Sequence, residues 1–238
     1  MRVRRWLAKG IEWLGGHELS MLLGGLAVAA GFLIFLSFGR LVTSGRTLAL
    51  DDRILLACRT PGDLARPVGP VWVADVARDI TALGSTDLLW LATVAVAGFL
   101  GLDRRYRAMV FVLAAVLSGW TISFLLKDLF QRSRPSVVPH LMPAYFSSFP
   151  SGHSLMSAVV YLTLGSLLSS LVTRRRLKFY FLTLAALVSI LVGVSRVVLG
   201  VHYPTDVVAG WFAGLAWATL CWTIERGLAR RGTIEATV

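Results

Sequence analysis

Three short stretches of this chain carry residue types that could handle a phosphoryl group. The first is "KDLFQRSRP", with Lys127 and Arg134 near its ends and Arg132 between them. The second is "FPSGHS", in which Ser151, Gly152 and His153 follow Pro150 and immediately precede an apolar run. A helix beginning there would turn its unpaired first-turn amides and positive dipole end toward an anion, and Gly152 would permit close approach. The third is "SRVVLGVHYPTD", where Arg196 precedes His202 and Asp206, the latter two set four residues apart. A carboxylate that accepts from one imidazole nitrogen fixes the tautomer and leaves the other nitrogen free to act as a nucleophile.

Each piece taken alone has a plainer use. A single cation beside an apolar span often snorkels to the interface. Ser151 alone reads as a helix cap, and the His202/Asp206 pair serves structural hydrogen bonding equally well. What favours chemistry is their convergence on one side of the membrane. Phosphoryl transfer spreads charge over three equatorial oxygens, which Lys127, Arg134, Arg196 and the Ser151 and Gly152 amides would stabilise. It also needs an attacking base and a proton donor in line, roles that suit His202 and His153.

These residues need elements to hold them, and the composition says which. The chain is 56% hydrophobic and 16% charged, far more apolar than an ordinary soluble domain. Apolar runs at about Leu19 to Phe38, Leu88 to Leu102, Ala108 to Leu126, Leu155 to Val172, Phe179 to Leu199 and Val207 to Leu228 predict six membrane spans, the second and fourth being the weakest signals. The fold class expected is an all-α integral membrane protein of six transmembrane helices, with short amphipathic helices on its outer face.

Basic clusters set the orientation. Arg2, Arg4, Arg5 and Lys9 precede the first span, Arg104, Arg105 and Arg107 follow the second, Arg174, Arg175, Arg176 and Lys178 follow the fourth, and Arg226, Arg230 and Arg231 follow or close the last. The positive-inside rule puts all of these, and both termini, in the cytoplasm, and the three candidate stretches outside, although Arg40, Arg53 and Arg66 weaken the count. The net charge of +11 is therefore a topology signal and not a nucleic-acid footprint. The first apolar run is too long for a signal-peptide core and lacks a small-residue cleavage site, which predicts an uncleaved span.

No linker or repeat divides the chain, so residues 1–238 are expected to form a single membrane domain. A polar outer-face insertion spans about 39–87, and the candidate motifs lie within 127–206. In the insertion, Trp72, Val76, Ile80 and Leu83 recur at helical spacing, which predicts a helix lying in the headgroup layer or packing on the bundle. Cys58 and Cys221 show neither pairing nor ligand spacing.

The pattern resembles the type-2 phosphatidic acid phosphatases, integral membrane lipid phosphatases related to vanadium-dependent haloperoxidases, whose motifs run K-x6-RP, PSGH and SR-x5-H-x3-D. Lys127, Arg134 and Pro135, then Pro150 to His153, then Ser195, Arg196, His202 and Asp206 meet every fixed position. The resemblance implies His202 as nucleophile, Asp206 as its partner, His153 as general acid, and Lys127, Arg134, Ser151, Gly152 and Arg196 as phosphate ligands. It implies no cofactor and no metal, and no His/Asp/Glu cluster with ligand spacing lies near the motifs.

The expected activity is removal of a terminal phosphate from a lipid on the outer face of a bacterial cytoplasmic membrane, through a phosphohistidine. Undecaprenyl pyrophosphate is the favoured substrate, with phosphatidic acid, phosphatidylglycerol phosphate and a lipid A phosphate as further candidates. Transfer of the phosphoryl group to a second lipid, haloperoxidase chemistry with vanadate, and phospholipid binding or transport without chemistry are the competing readings. The expected partners are the bilayer and a lipid phosphate, not nucleic acid. The oligomeric state is open.

Overall fold

The structure, a computed structural model, describes residues 16–230. The residues Arg2, Arg4, Arg5, Lys9 and Arg231, used above for orientation, lie outside that range. The described chain runs α1 (Gly16–Thr43), α2 (Leu48–Ala57), β1 (Arg59–Thr60), β2 (Asp63–Pro67), α3 (Val73–Ala82), α4 (Thr86–Leu102), α5 (Tyr106–Phe130), α6 (Gly152–Ser170), α7 (Arg175–Val198) and α8 (Pro204–Arg230).

Among the described residues, five helices are long and apolar enough to cross a bilayer: α1, α5, α6, α7 and α8. The sixth span is a composite. α4 has 17 residues, about 25 Å of helix against a hydrocarbon core of about 30 Å. Together with α3, from which it is bent by 41° across a short break, it passes the same test. Lipid-facing side chains account for the many exposed large apolar residues, such as Leu33, Leu91, Leu125 and Phe179.

α6 is the central helix. It packs against α7 and α8, while α8 also packs against α1. Leu155, Met156, Val159 and Val160 on α6 are buried and form a cluster with Leu89 of α4 and Val116 of α5. This packing fixes where the first turn of α6 points. At the same end of the bundle, α5 stops at Gln131, whose left-handed backbone (φ 43°) closes the helix through a bond from its amide to the Lys127 carbonyl. α7 ends beside Gly200 (φ +74°), a conformation that glycine adopts without strain.

The segment between α1 and α4 holds the expected helices and one element beyond them. It contains a small antiparallel hairpin as well as helices, pairing Arg59 with Pro67 and Thr60 with Asp63 around Gly62 (φ +86°). The "TPGD" turn supplies the positive φ that the reversal needs. α3 is the helix that the spacing of Trp72, Val76, Ile80 and Leu83 predicts. Ala77 and Thr81 are buried and α3 packs on α7, whereas Trp72 (58% exposed), Val76 and Leu83 face away from the protein. α3 thus packs on the bundle through its small residues, with Ile80 partly buried and the rest of the predicted apolar stripe exposed.

Candidate active site

Three connections meet at one end of the bundle: the turn after α5, the entry to α6, and the turn from α7 into α8. They bring Lys127, Arg134, Ser151, Gly152, His153, Arg196, His202 and Asp206 into one group.

The entry to α6 is capped by Ser151, whose hydroxyl accepts from the Ser154 amide at 3.5 Å and from the Ser154 hydroxyl at 3.1 Å. Its own amide donates to the Asp206 carbonyl at 3.0 Å. The Ser151 amide is therefore engaged, which leaves the Gly152 and His153 amides, without a hydrogen bond among the described residues, as the free donors of the first turn. A Cβ added at Gly152 would lie 3.3 Å from Lys127 Cε, so the ammonium side chain runs directly past this turn. Gly84, at the bend between α3 and α4, is the corresponding neighbour of the His153 ring.

Lys127, Arg134 and Arg196 are held by uncharged partners. Lys127 Nζ donates to the Ser147 carbonyl at 2.7 Å. Arg134 Nε donates to the Phe146 carbonyl at 2.7 Å, and its Nη1 donates to the Val201 carbonyl at 2.7 Å and lies 3.3 Å from His202 Nε2. Arg196 is 3% exposed; its Nη1 meets Thr81 Oγ1 and Met142 Sδ, each at 3.0 Å, and its buried Nε has no partner among the described residues. A buried guanidinium without a carboxylate is poised for an anionic ligand.

His202 stands in the α7–α8 turn, 2% exposed. Its Nδ1 is 3.6 Å from Asp206 Oδ2, beyond hydrogen-bond distance. Ser148 bridges the interval, with its hydroxyl donating to Asp206 Oδ2 at 2.5 Å and lying 3.4 Å from His202 Nδ1. Burial first, then the charges of Arg196, Arg134 and Lys127, push the His202 imidazole well below the ordinary histidine range, against an opposing hydrogen bond with the Ser148 backbone. The ring is thus neutral at physiological pH. His153 lies within charge reach of the same three cations and of His202, and its ring has no hydrogen bond among the described residues.

Three polar residues that the motif reading left without a role complete the surroundings. Ser148 is one. Arg132 is the second: its Nη1 donates to Asp206 Oδ1 at 2.5 Å and to Thr205 Oγ1 at 3.0 Å, its Nη2 donates to Asp51 Oδ2 at 2.9 Å, and its guanidinium lies 4.0 Å over the Tyr203 ring. Burial works against its charge, but Asp206 and Asp51 outweigh this and hold the group above its ordinary value. Asp51 is the third, fully buried on α2 and also accepting from the Thr205 amide and hydroxyl. Arg132 was visible inside the first motif; Ser148 and Asp51 had no spacing signal.

Residues 146–149 stitch the group together. The Phe146 carbonyl takes Arg134, the Ser147 carbonyl takes Lys127, the Ser147 hydroxyl donates to the Lys127 carbonyl at 2.8 Å, and the Ser148 amide donates to the Arg132 carbonyl at 2.8 Å. Phe149, fully buried, anchors the segment against Phe35 and Phe130, with ring centroids 5.8 and 4.8 Å away.

Fold and site together define a multi-pass membrane protein with a cationic, histidine-bearing cluster at one end of its helix bundle. The chain belongs to the PAP2 superfamily, whose family model matches residues 107–230. It is 30% identical over 185 residues to phosphatidylglycerophosphatase B of Bacillus subtilis, covering 77% of this chain and 87% of that protein. It is 34% identical over 106 residues to the undecaprenyl-diphosphatase of Sulfolobus acidocaldarius, covering 44% of this chain and 46% of the relative. The crystal structure of a transmembrane PAP2-type phosphatidylglycerolphosphate phosphatase from Bacillus subtilis superimposes with a TM-score of 0.76 at 27% identity, covering 85% of this chain and 98% of that one.

Proposed function

We propose that this chain is a lipid phosphatase that removes a terminal phosphate from a membrane lipid through a phosphohistidine on His202. The observation that carries the reading is the 3.3 Å approach of Arg134 Nη1 to His202 Nε2. A phosphate oxygen held by Arg134 would bring phosphorus next to that nitrogen, within the reach a near-attack geometry needs.

In the first step, His202 Nε2 forms a bond to phosphorus while the bond from phosphorus to the lipid oxygen breaks. The electron pair goes to that oxygen, which His153 protonates. Lys127, Arg134, Arg196 and the free amides of Gly152 and His153 stabilise the charge on the transferring group. In the second step, His153 takes a proton from water, the water oxygen attacks phosphorus, and inorganic phosphate leaves as the bond to Nε2 breaks. No step draws on a metal or cofactor.

The positive-inside pattern supports a site on the outer face of a bacterial cytoplasmic membrane, with both termini inside. Two substrates lead. The relative that shares the larger part of its length with this chain carries the name phosphatidylglycerophosphatase, and an outward site also suits undecaprenyl pyrophosphate. Purified protein in detergent, assayed for inorganic phosphate release from each of these lipids, from phosphatidic acid and from a lipid A phosphate, ranks them. Release from none would overturn the phosphatase reading. His202→Ala should abolish turnover while a lipid phosphate still binds, and unchanged turnover would remove His202 as the nucleophile.

A further inference from the structure

Asp51 is the one fully buried carboxylate, among the described residues, that the proposed reaction does not use. It comes from α2, and its two oxygens are fully engaged: Oδ1 accepts from the Thr205 amide at 3.0 Å, and Oδ2 accepts from Thr205 Oγ1 at 2.7 Å and Arg132 Nη2 at 2.9 Å. Arg132 spans the gap to Asp206 with its other nitrogen. Two buried carboxylates therefore share one guanidinium, and the cluster carries a net charge of −1.

That sign matters because of what His202 faces. Lys127 from α5, Arg134 from the loop after it and Arg196 from α7 all act on the ring as positive charges. His153 approaches from α6, Asp206 lies on α8, and Asp52 acts on the adjoining Tyr203. A ring that attacks phosphorus acquires positive charge and must be offset by a negative neighbour in a low-dielectric site. Asp206 is that neighbour, yet Arg132 is bonded directly to it. With Arg132 alone the pair would be neutral, and a neutral pair offers little to an imidazolium.

We propose that Asp51 is a positioning residue of the phosphatase, which occupies one side of the Arg132 guanidinium and thereby keeps the group behind His202 net negative during phosphoryl transfer. The inference rests on the reading of His202 as nucleophile. It gives α2 a catalytic consequence, since a helix outside the three motifs would set the charge balance of the site. A purely structural role is the competing account, because Asp51 also ties the first turn of α8 in place through Thr205.

The pH dependence of kcat/KM separates the two. The acid limb reports loss of the neutral nucleophile, and substrate ionisation is common to all variants. Removing the Asp51 charge in Asp51→Asn disfavours the protonated ring further, so the limb moves to lower pH, by about half to one unit, with a fall in kcat of about tenfold. Arg132→Gln has the opposite sign and moves the limb up. The double variant Asp51→Asn/Arg132→Gln restores a net −1 and returns the limb toward the wild-type position. If Asp51→Asn does not fold, the pair Arg132→Gln and the double variant carries the same comparison, and removing the Asp51 charge there must lower the limb. An acid limb that is unmoved by loss of the Asp51 charge in either background, whatever the rate, overturns the proposal. Absence of phosphate release by the wild-type protein would instead overturn the underlying phosphatase reading.

Discussion

His202 Nδ1 and Asp206 Oδ2 stand 3.6 Å apart, with the Ser148 hydroxyl reaching both. Since that hydroxyl donates to the carboxylate, its lone pair is available to the ring N–H, and the chain of bonds assigns the proton to Nδ1 and the lone pair to Nε2. Ser148→Ala should therefore lower kcat by about 10- to 100-fold with little change in KM. Steady-state kinetics on a lipid phosphate in detergent checks this, and a kcat within twofold of wild type would show that the hydroxyl has no such part.

Arg196 lends itself to a different split between the constants. Thr81 is its hydroxyl partner and contacts it from α3, away from the other cations. Thr81→Val keeps the shape and removes the oxygen, loosening the guanidinium without removing it. KM for the lipid phosphate and the inhibition constant of inorganic phosphate should both rise, by about three- to tenfold, the net worth of an ordinary single hydrogen bond. Isothermal titration with phosphate, or product inhibition, measures it.

The low-lying His202 titration predicts an acid-tolerant nucleophile. Burial and three cations favour the neutral ring, so the folded ring takes up its proton only well below the pH at which an ordinary histidine does. The nucleophile-dependent fall of kcat/KM on the acid side should accordingly begin below about pH 6.5, the ordinary histidine value. A pH–rate profile on a substrate whose own ionisation is known would show it, and an acid limb at or above that value would contradict the environment described for His202.

Gly200 links the end of α7 to His202. Its φ of +74° would strain any L side chain, and an added Cβ would run into the Arg59 guanidinium and come within 3.0 Å of the Pro139 carbonyl. Arg59 is itself buried and donates to the Val198 carbonyl at 2.7 Å, holding the last turn of α7. Gly200→Ala should cost about 1–3 kcal/mol or more, seen as a lower thermal midpoint in detergent, together with loss of activity because His202 is two residues away. Arg59→Met should lower the midpoint also, by leaving those carbonyls unpaired.

The spans were legible because lipid imposes both a length and an absence of charge, and five of the six runs meet those demands in one straight helix. α4 falls short because 17 residues do not cover the core alone; the rest of the crossing comes from a bend that no hydropathy pattern encodes. Which side of α3 meets the bundle was left open by its sequence for a related reason. An apolar stripe marks burial only where water is the solvent, and beside a membrane Trp72 and Val76 can stay outside the protein while Ala77 and Thr81 make its contacts. The His202/Asp206 spacing and the two motif cations are local and could be read. Asp51 reaches Thr205 from 154 residues away, and Ser148 sits between His202 and Asp206 only after two connections have folded against each other.

The stitched segment at 146–149 makes the site sensitive to register. Neighbouring residues serve different masters: one carbonyl holds Arg134, the next holds Lys127, and the hydroxyl after that serves Asp206 and His202. Shifting this stretch by a single residue would exchange Ser147 with Ser148 and disconnect a cation and the nucleophile at once. Upstream, Leu141 is tied to Leu199 and Met142 to Arg196, so the interval between the first two motifs can change length freely only near Tyr145, which is 86% exposed. Loop grafts or epitope tags placed there should leave turnover intact, while the same insertion three residues later should not.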